Sequence, residues 1–198
     1  MRSGRPVWRA LVLGGARSGK SGFAERLLAE DPQVVYAATA PRYPGDDEWA
    51  ERIARHRETR PASWQTVEVG DTPERLAALL RTADRTVLVD SLTLWLTAAM
   101  DAVNAWDDAA WRDGQSRDAL GTLVAELVNA YAAATSSVVV VSDEVGLSVV
   151  PESAGTRRFR DELGRLNQAF AAAADEVSLV VAGLAVRLKP GPGSPGSA

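Results

Sequence analysis

Residues 14 to 21 read Gly14-Gly15-Ala16-Arg17-Ser18-Gly19-Lys20-Ser21, a full G-x-x-x-x-G-K-[ST] phosphate-binding loop. Each position has a task. The glycines let backbone N–H groups close around phosphate oxygens, the Lys20 ammonium reaches the β- and γ-phosphates, and the Ser21 hydroxyl can ligate Mg²⁺. The apolar run Ala10-Leu11-Val12-Leu13 comes directly before the loop and the helix-like Gly22 to Glu30 directly after it. This strand–loop–helix context makes a nucleotide the expected ligand.

Such a loop normally works with a carboxylate at the end of a neighbouring apolar strand, which helps hold the Mg²⁺ that bridges the phosphates. Thr86-Val87-Leu88-Val89-Asp90 has that pattern, so Ser21 and Asp90 are the candidate metal ligands. A second apolar run, Val138 to Val141, also ends in acid, at Asp143-Glu144. In an open parallel sheet the ligand crevice lies beyond the carboxyl ends of the strands, so either residue can face the same site or simply cap its loop. The only histidine, His56, is flanked by Arg52, Arg55, Arg57 and Arg60. Flanking positive charge disfavours protonation and keeps the ring nucleophilic, so a neutral His56 among phosphate-binding cations can attack an α-phosphorus. The alternative is a solvated helix face on which Glu48, Glu51 and Glu58 pair with the arginines.

The elements that must position these residues alternate in type. Candidate strands are Leu11–Leu13, Val34–Ala37, Thr66–Val69, Thr86–Val89, Val138–Val141 and Ser178–Val181, separated by longer helical patterns. The continuously apolar runs at 87–89 and 138–141 suit strands covered on both faces, and hence a mostly parallel central sheet flanked by helices. Apolar residues at helical spacing, Leu120, Leu123, Val124, Leu127, Val128 and Tyr131, predict one long amphipathic helix within 109–134. The expected class is therefore α/β, a P-loop NTPase-type single domain over residues 9–189. Residues 1–8 are expected to form a flexible N-terminus, and the Pro/Gly/Ser-rich end, from Lys189 and in any case over 190–198, a disordered tail.

Composition narrows the function classes. The chain has no cysteine, which removes disulfides, thiolate metal sites and cysteine nucleophiles. A net charge of −4 without a basic stripe argues against nucleic acid as the main partner. The short polar start does not suit a signal peptide and no apolar stretch reaches the length of a membrane span, so a cytoplasmic protein is expected.

Further along, the chain carries Tyr36-Ala37-Ala38-Thr39, Arg52-Ile53, His56-Arg57, Arg60-Pro61, Trp64 and Glu68. It then has Asp90-Ser91-Leu92-Thr93-Leu94-Trp95, Glu144-Val145-Gly146, Val150-Pro151-Glu152, Arg158-Phe159-Arg160-Asp161, Gly164-Arg165-Leu166-Asn167-Gln168 and Ala174-Asp175-Glu176-Val177. With the phosphate loop, this ordered set resembles the bifunctional adenosylcobinamide kinase / adenosylcobinamide-phosphate guanylyltransferase enzymes of cobalamin assembly, from Leu11 to about Lys189. The resemblance implies two reactions. ATP or GTP phosphorylates the aminopropanol hydroxyl of adenosylcobinamide, and GTP then donates GMP to that phosphate through a guanylylated histidine, matched here by His56, with release of pyrophosphate. It also implies GTP contacts at Gly14 to Ser21, Ala38, Thr39, Ala40, Arg57, Glu58, Thr59, Arg60, Glu68 and Asp90, and assembly as a homotrimer. Two positions depart from the family pattern. Asp143 stands where Asn is usual, adding a charge near a site for anions, and Ser91 stands where Cys is common.

Rival readings are a monofunctional small-molecule kinase, in which His56 is incidental, and a nucleotide-dependent switch that acts by binding a partner. If Asp143 or Glu144 orients the attacking hydroxyl, replacing it with its amide should lower turnover more than nucleotide affinity, as steady-state kinetics beside a binding titration would show.

Overall fold

The computed structural model describes residues 7–40 and 61–191. Seven strands form one sheet: β1 (Arg9–Gly14), β2 (Val35–Ala38), β3 (Gln65–Glu68), β4 (Val87–Asp90), β5 (Val138–Asp143), β6 (Glu176–Val181) and β7 (Leu184–Lys189). Their spatial order is β3-β2-β4-β5-β1-β6-β7, and all pairs are parallel except β6 with β7. The helices among the described residues are α1 (Lys20–Leu27), α2 (Glu74–Thr82), α3 (Leu92–Ala102), α4 (Asp108–Arg112), α5 (Gln115–Ala132) and α6 (Ala154–Ala173).

The apolar runs are continuous because the central strands are buried on both faces. Successive side chains of a strand point to opposite faces, and here each face has its own core. Leu11, Leu13, Val87, Val89, Val138 and Val140 join Leu76 and Leu80 of α2, Trp95 and Leu96 of α3, Leu127 of α5 and Leu163 of α6. Ala10, Val12, Tyr36, Leu88, Val139 and Val141 pack instead with Ala24 of α1, Leu28 and Trp64. The α/β class and mostly parallel sheet expected from the alternation are what the chain forms.

Three local expectations change. The single helix predicted within 109–134 is two, because Gly114 adopts a left-handed conformation (φ 93°) between α4 and α5. Asp107 caps α4 by accepting from the N–H groups of Ala109 and Ala110, and Asp113 accepts from Gln115 N–H. A seventh strand, β7, follows β6 through the two-residue turn Ala182-Gly183, whose φ values of 51° and 80° suit a tight hairpin. Lys189, grouped with the tail by composition, closes β7. Its ammonium donates to the carbonyls of Ala171, Ala172 and Ala174 at the end of α6, where the unpaired C-terminal carbonyls of a helix favour a cation.

The start of β1 is tied to the start of β6 by Asp175. Its Oδ2 accepts from Arg9 N (2.8 Å) and Arg9 Nε (3.2 Å), its Oδ1 accepts from Arg9 Nη2 (3.2 Å), and its own N–H donates to Arg9 O (2.8 Å). Burial alone would raise the carboxyl's pKa, but the Arg9 hydrogen bonds and charge, helped by Lys189, outweigh it and hold the group below its ordinary range. A depressed folded pKa contributes stability that is present above the unfolded value and lost as pH falls through the folded one. Asp175→Ala should therefore cost about 2 kcal/mol near neutral pH, the scale of hydrogen bonds to a charged group. In urea titrations its deficit against the parent should shrink as the pH is lowered below the usual carboxylate range.

Candidate active site

The phosphate loop is shaped by what surrounds β1. At Gly14 an added Cβ would meet Ser18 Oγ at 2.4 Å and the Val180 carbonyl of β6 at 2.7 Å, so the chain can turn there only without a side chain. Ser18 N–H then donates to Gly15 O (3.2 Å), and Gly19, with φ 91°, delivers the chain into α1. Helix α1 has neither a side-chain N-cap nor an acidic residue in its first turn. Its N-terminal N–H groups and positive dipole end are thus left to an anion. Gly15, Ala16 and Arg17 are exposed on the outer side of the loop.

Parallel register brings the strand ends to one edge of the sheet. Gly14 of β1 lies opposite Asp143 of β5, Asp90 of β4 lies opposite Ala38 of β2, and Ala38 lies opposite Glu68 of β3. The loop, the strand-end acids Asp90 and Asp143, and the expected GTP contacts Ala38 and Glu68 therefore share the carboxyl end of the sheet, where a ligand crevice is expected. Ser21 follows Lys20 in the first turn of α1 and is half-buried.

The charged groups have specific partners. Lys20 Nζ lies 2.5 Å from Asp143 Oδ1 and donates to Gly15 O at 3.3 Å. The backbone around Asp143 is held by Thr93 Oγ1, which accepts from Asp143 N–H (3.0 Å), and by Asn167 Nδ2, which donates to Asp143 O (3.0 Å). Asn167 is itself fixed by Ser142 Oγ, donating to its Oδ1 at 2.7 Å. Glu144 turns back into its own loop and accepts from Gly146 N–H (2.8 Å). Asp90 Oδ2 accepts from the hydroxyl of the buried Tyr36 (2.8 Å). Thr39 is fully buried, and its Oγ1 accepts from Ser91 N–H and donates to Ser91 O, both at 2.7 Å, which ties the end of β2 to the end of β4. Ala40 is half-buried just beyond it.

His56, Arg57, Glu58, Thr59 and Arg60 lie outside the described residues, as do Arg52, Arg55 and Trp49. The remaining tryptophans divide: Trp64 and Trp95 are core, Trp8 and Trp111 are half-buried, and Trp106 is exposed. The segment after Met100 is the end of α3 and a connection to α4.

Three contacts were not legible beforehand: Lys20 with Asp143, Tyr36 with Asp90, and the β6–β7 turn with the loop. In the last, Gly183 N–H donates to Ser18 O (2.8 Å), and Gly19 passes so close that its Cβ would meet Gly183 Cα at 3.4 Å. Only the turn had a sequence signal, a two-residue Ala-Gly break between apolar runs.

Residues 10–188 match the family described as cobinamide kinase / cobinamide phosphate guanyltransferase. The chain is 46% identical over 185 residues to the bifunctional adenosylcobalamin biosynthesis protein CobP of Pseudomonas aeruginosa, covering 91% of this chain and 97% of that one. It is 41% identical over 180 residues to the bifunctional adenosylcobalamin biosynthesis protein CobU of Salmonella typhimurium, covering 90% and 98%. Among solved structures it is similar to the ATPase EscN of the enteropathogenic E. coli type III secretion system, at 15% identity with a TM-score of 0.49, covering 89% of this chain and 43% of that one. It is also similar to the KaiC-like protein PH0186 of Pyrococcus horikoshii, at 13% identity with a TM-score of 0.43, covering 87% and 70%.

The loop's two leading glycines should respond differently to alanine. Gly14→Ala has to displace a carbonyl of β6, whereas a Cβ on Gly15 meets nothing within 4 Å. Equilibrium titration with GTP should show nucleotide affinity reduced about tenfold or more in Gly14→Ala, the effect of ~1.4 kcal/mol or greater, and nearly unchanged in Gly15→Ala.

Proposed function

The chain belongs to the cobinamide kinase / cobinamide phosphate guanyltransferase family, and from that premise we propose that it carries out both reactions on adenosylcobinamide, with the sheet edge around Gly14, Lys20, Asp90 and Asp143 as the phosphate end of its site. The observation that carries this reading is the convergence of the loop and the strand-end acids at one edge of the sheet.

In the kinase step the aminopropanol hydroxyl oxygen attacks the γ-phosphorus of ATP or GTP, the bond to the bridging oxygen breaks, and the nucleoside diphosphate leaves while the hydroxyl proton is released. This chain's part is mainly positioning and charge stabilisation. Loop N–H groups and the first turn of α1 hold the phosphates, and Lys20 offsets charge that builds between the β- and γ-positions. Ser21 and Asp90 supply hard oxygen donors, with Tyr36 orienting the Asp90 carboxylate. That donor set fits Mg²⁺, which typically binds through one or two protein oxygens plus substrate phosphates. Bound there, Mg²⁺ would add charge neutralisation along the phosphates.

In the guanylyl step the His56 imidazole attacks the α-phosphorus of GTP and the bond to pyrophosphate breaks, leaving GMP on the ring nitrogen. A phosphate oxygen of adenosylcobinamide phosphate then attacks the same phosphorus, giving adenosylcobinamide-GDP and free His56. Arg57, Glu58, Thr59, Arg60, Ala38, Thr39, Ala40 and Glu68 are assigned to GTP by family resemblance. Thr39, with its hydroxyl committed to Ser91, would act by shaping the backbone beside β4.

We place the enzyme in the cytoplasm; among the described residues no helix is long and apolar enough to cross a membrane. A homotrimer is the proposed assembly. The edge strand β7, which exposes Leu184, Val186 and Leu188, has apolar surface that an assembly would cover.

Intact mass spectrometry after incubation with GTP and Mg²⁺ tests the covalent step. The parent should gain one GMP and His56→Ala none. A parent that binds GTP but gains no mass would leave a monofunctional kinase.

A further inference from the structure

We propose that Asp143 sets the enzyme's affinity for nucleoside triphosphate, by holding the ammonium of Lys20 that the β- and γ-phosphates must engage. The proposal rests on the loop's reading as the triphosphate site and adds a residue that tunes it. It starts from the 2.5 Å pair between Lys20 Nζ and Asp143 Oδ1. Both side chains are largely shielded, 12% and 22% exposed, so water weakens their attraction less than it would at an open surface. Asp143 is also not free to swing away with its backbone. Thr93 and Asn167 hold its N–H and its carbonyl, and Gly14 lies opposite it in the β1–β5 ladder.

An ammonium has three donors. Asp143 Oδ1 and Gly15 O account for two of them. Phosphate oxygens arriving at the loop must therefore share Lys20 with Asp143 or take it over. In both cases they come close to a carboxylate of their own sign, and like charges set close together at a binding site weaken association. Asn at this position keeps the shape and can still accept from Lys20, but it imposes no such competition. Asp143 thus acts through Lys20 as a positioning residue, and it lowers triphosphate affinity relative to its amide.

The experiment is a calorimetric titration of the full chain with a non-hydrolysable GTP analogue plus Mg²⁺, and separately with GMP, for the parent, Asp143→Asn and Asp143→Glu. Steady-state kinetics are run on the same proteins. Asp143→Asn should bind the triphosphate about tenfold more tightly, as expected when a close like-charge contact is removed. GMP, which has no β- or γ-phosphate, should bind the parent and Asp143→Asn alike. KM for GTP should fall with Kd by a larger factor than kcat changes, and Asp143→Glu should return affinity toward the parent's. Unchanged or weaker triphosphate binding in Asp143→Asn overturns the proposal, as does an equal gain for GMP. A fall in kcat at unchanged Kd also overturns it and assigns Asp143 to the attacking hydroxyl instead. The readout is triphosphate binding, so these failures leave the His56 mass test standing, whereas a parent that binds no triphosphate overturns both readings.

Discussion

Strand β1 is enclosed on four sides: β5 and β6 pair with its two edges, and a separate apolar core covers each face. A strand held this way cannot shift in register without breaking two ladders and moving its side chains to the wrong core. The point where the chain leaves the sheet is therefore invariant, and the geometry of the phosphate loop is inherited from it. Gly14 marks that point. It is closed in by the Val180 carbonyl and the Ser18 hydroxyl, so the loop begins its turn at once and aims α1 back across the sheet edge.

The neighbours of β1 then decide the electrostatics of the site. Because β5 lies between β1 and β4, the acid beside the loop lysine is Asp143, and Asp90 is one strand further out. The two carboxylates have different partners as a result, Lys20 for Asp143 and the Tyr36 hydroxyl for Asp90. One lies against the loop's cation, and the other accepts a hydrogen bond from a buried phenol. Two acids at the ends of similar valine-rich strands thus have separate partners because of strand order.

On the other side of β1 the β6–β7 hairpin braces the outer curve of the loop through Gly183 and Ser18. The same hairpin presents its apolar side chains outward along β7. Any contact made along that edge strand is only a turn away from the backbone of the glycine-rich loop. Thr39 and Ser91 similarly lock the ends of β2 and β4, the neighbouring strands at that edge.

The sequence by itself determined the features that are local along the chain. The loop motif, six of the seven strands, the doubly covered central sheet and the strand-end position of Asp90 and Asp143 all follow from residue type and spacing within short windows. The ordered motifs from Tyr36 to Val177 were enough to indicate the family. The break at Gly114 and the strand at Leu184–Lys189 were harder to see, because one depends on a backbone angle and the other is an exposed edge without a buried face to pattern it. The tertiary structure alone decided which strand ends are neighbours. Strand order is set by how the crossover helices pack, and a sequence does not display that order. Hence Lys20 could be read as a phosphate ligand from its motif, but that Asp143 and not Asp90 lies against it follows from the placement of β5 beside β1.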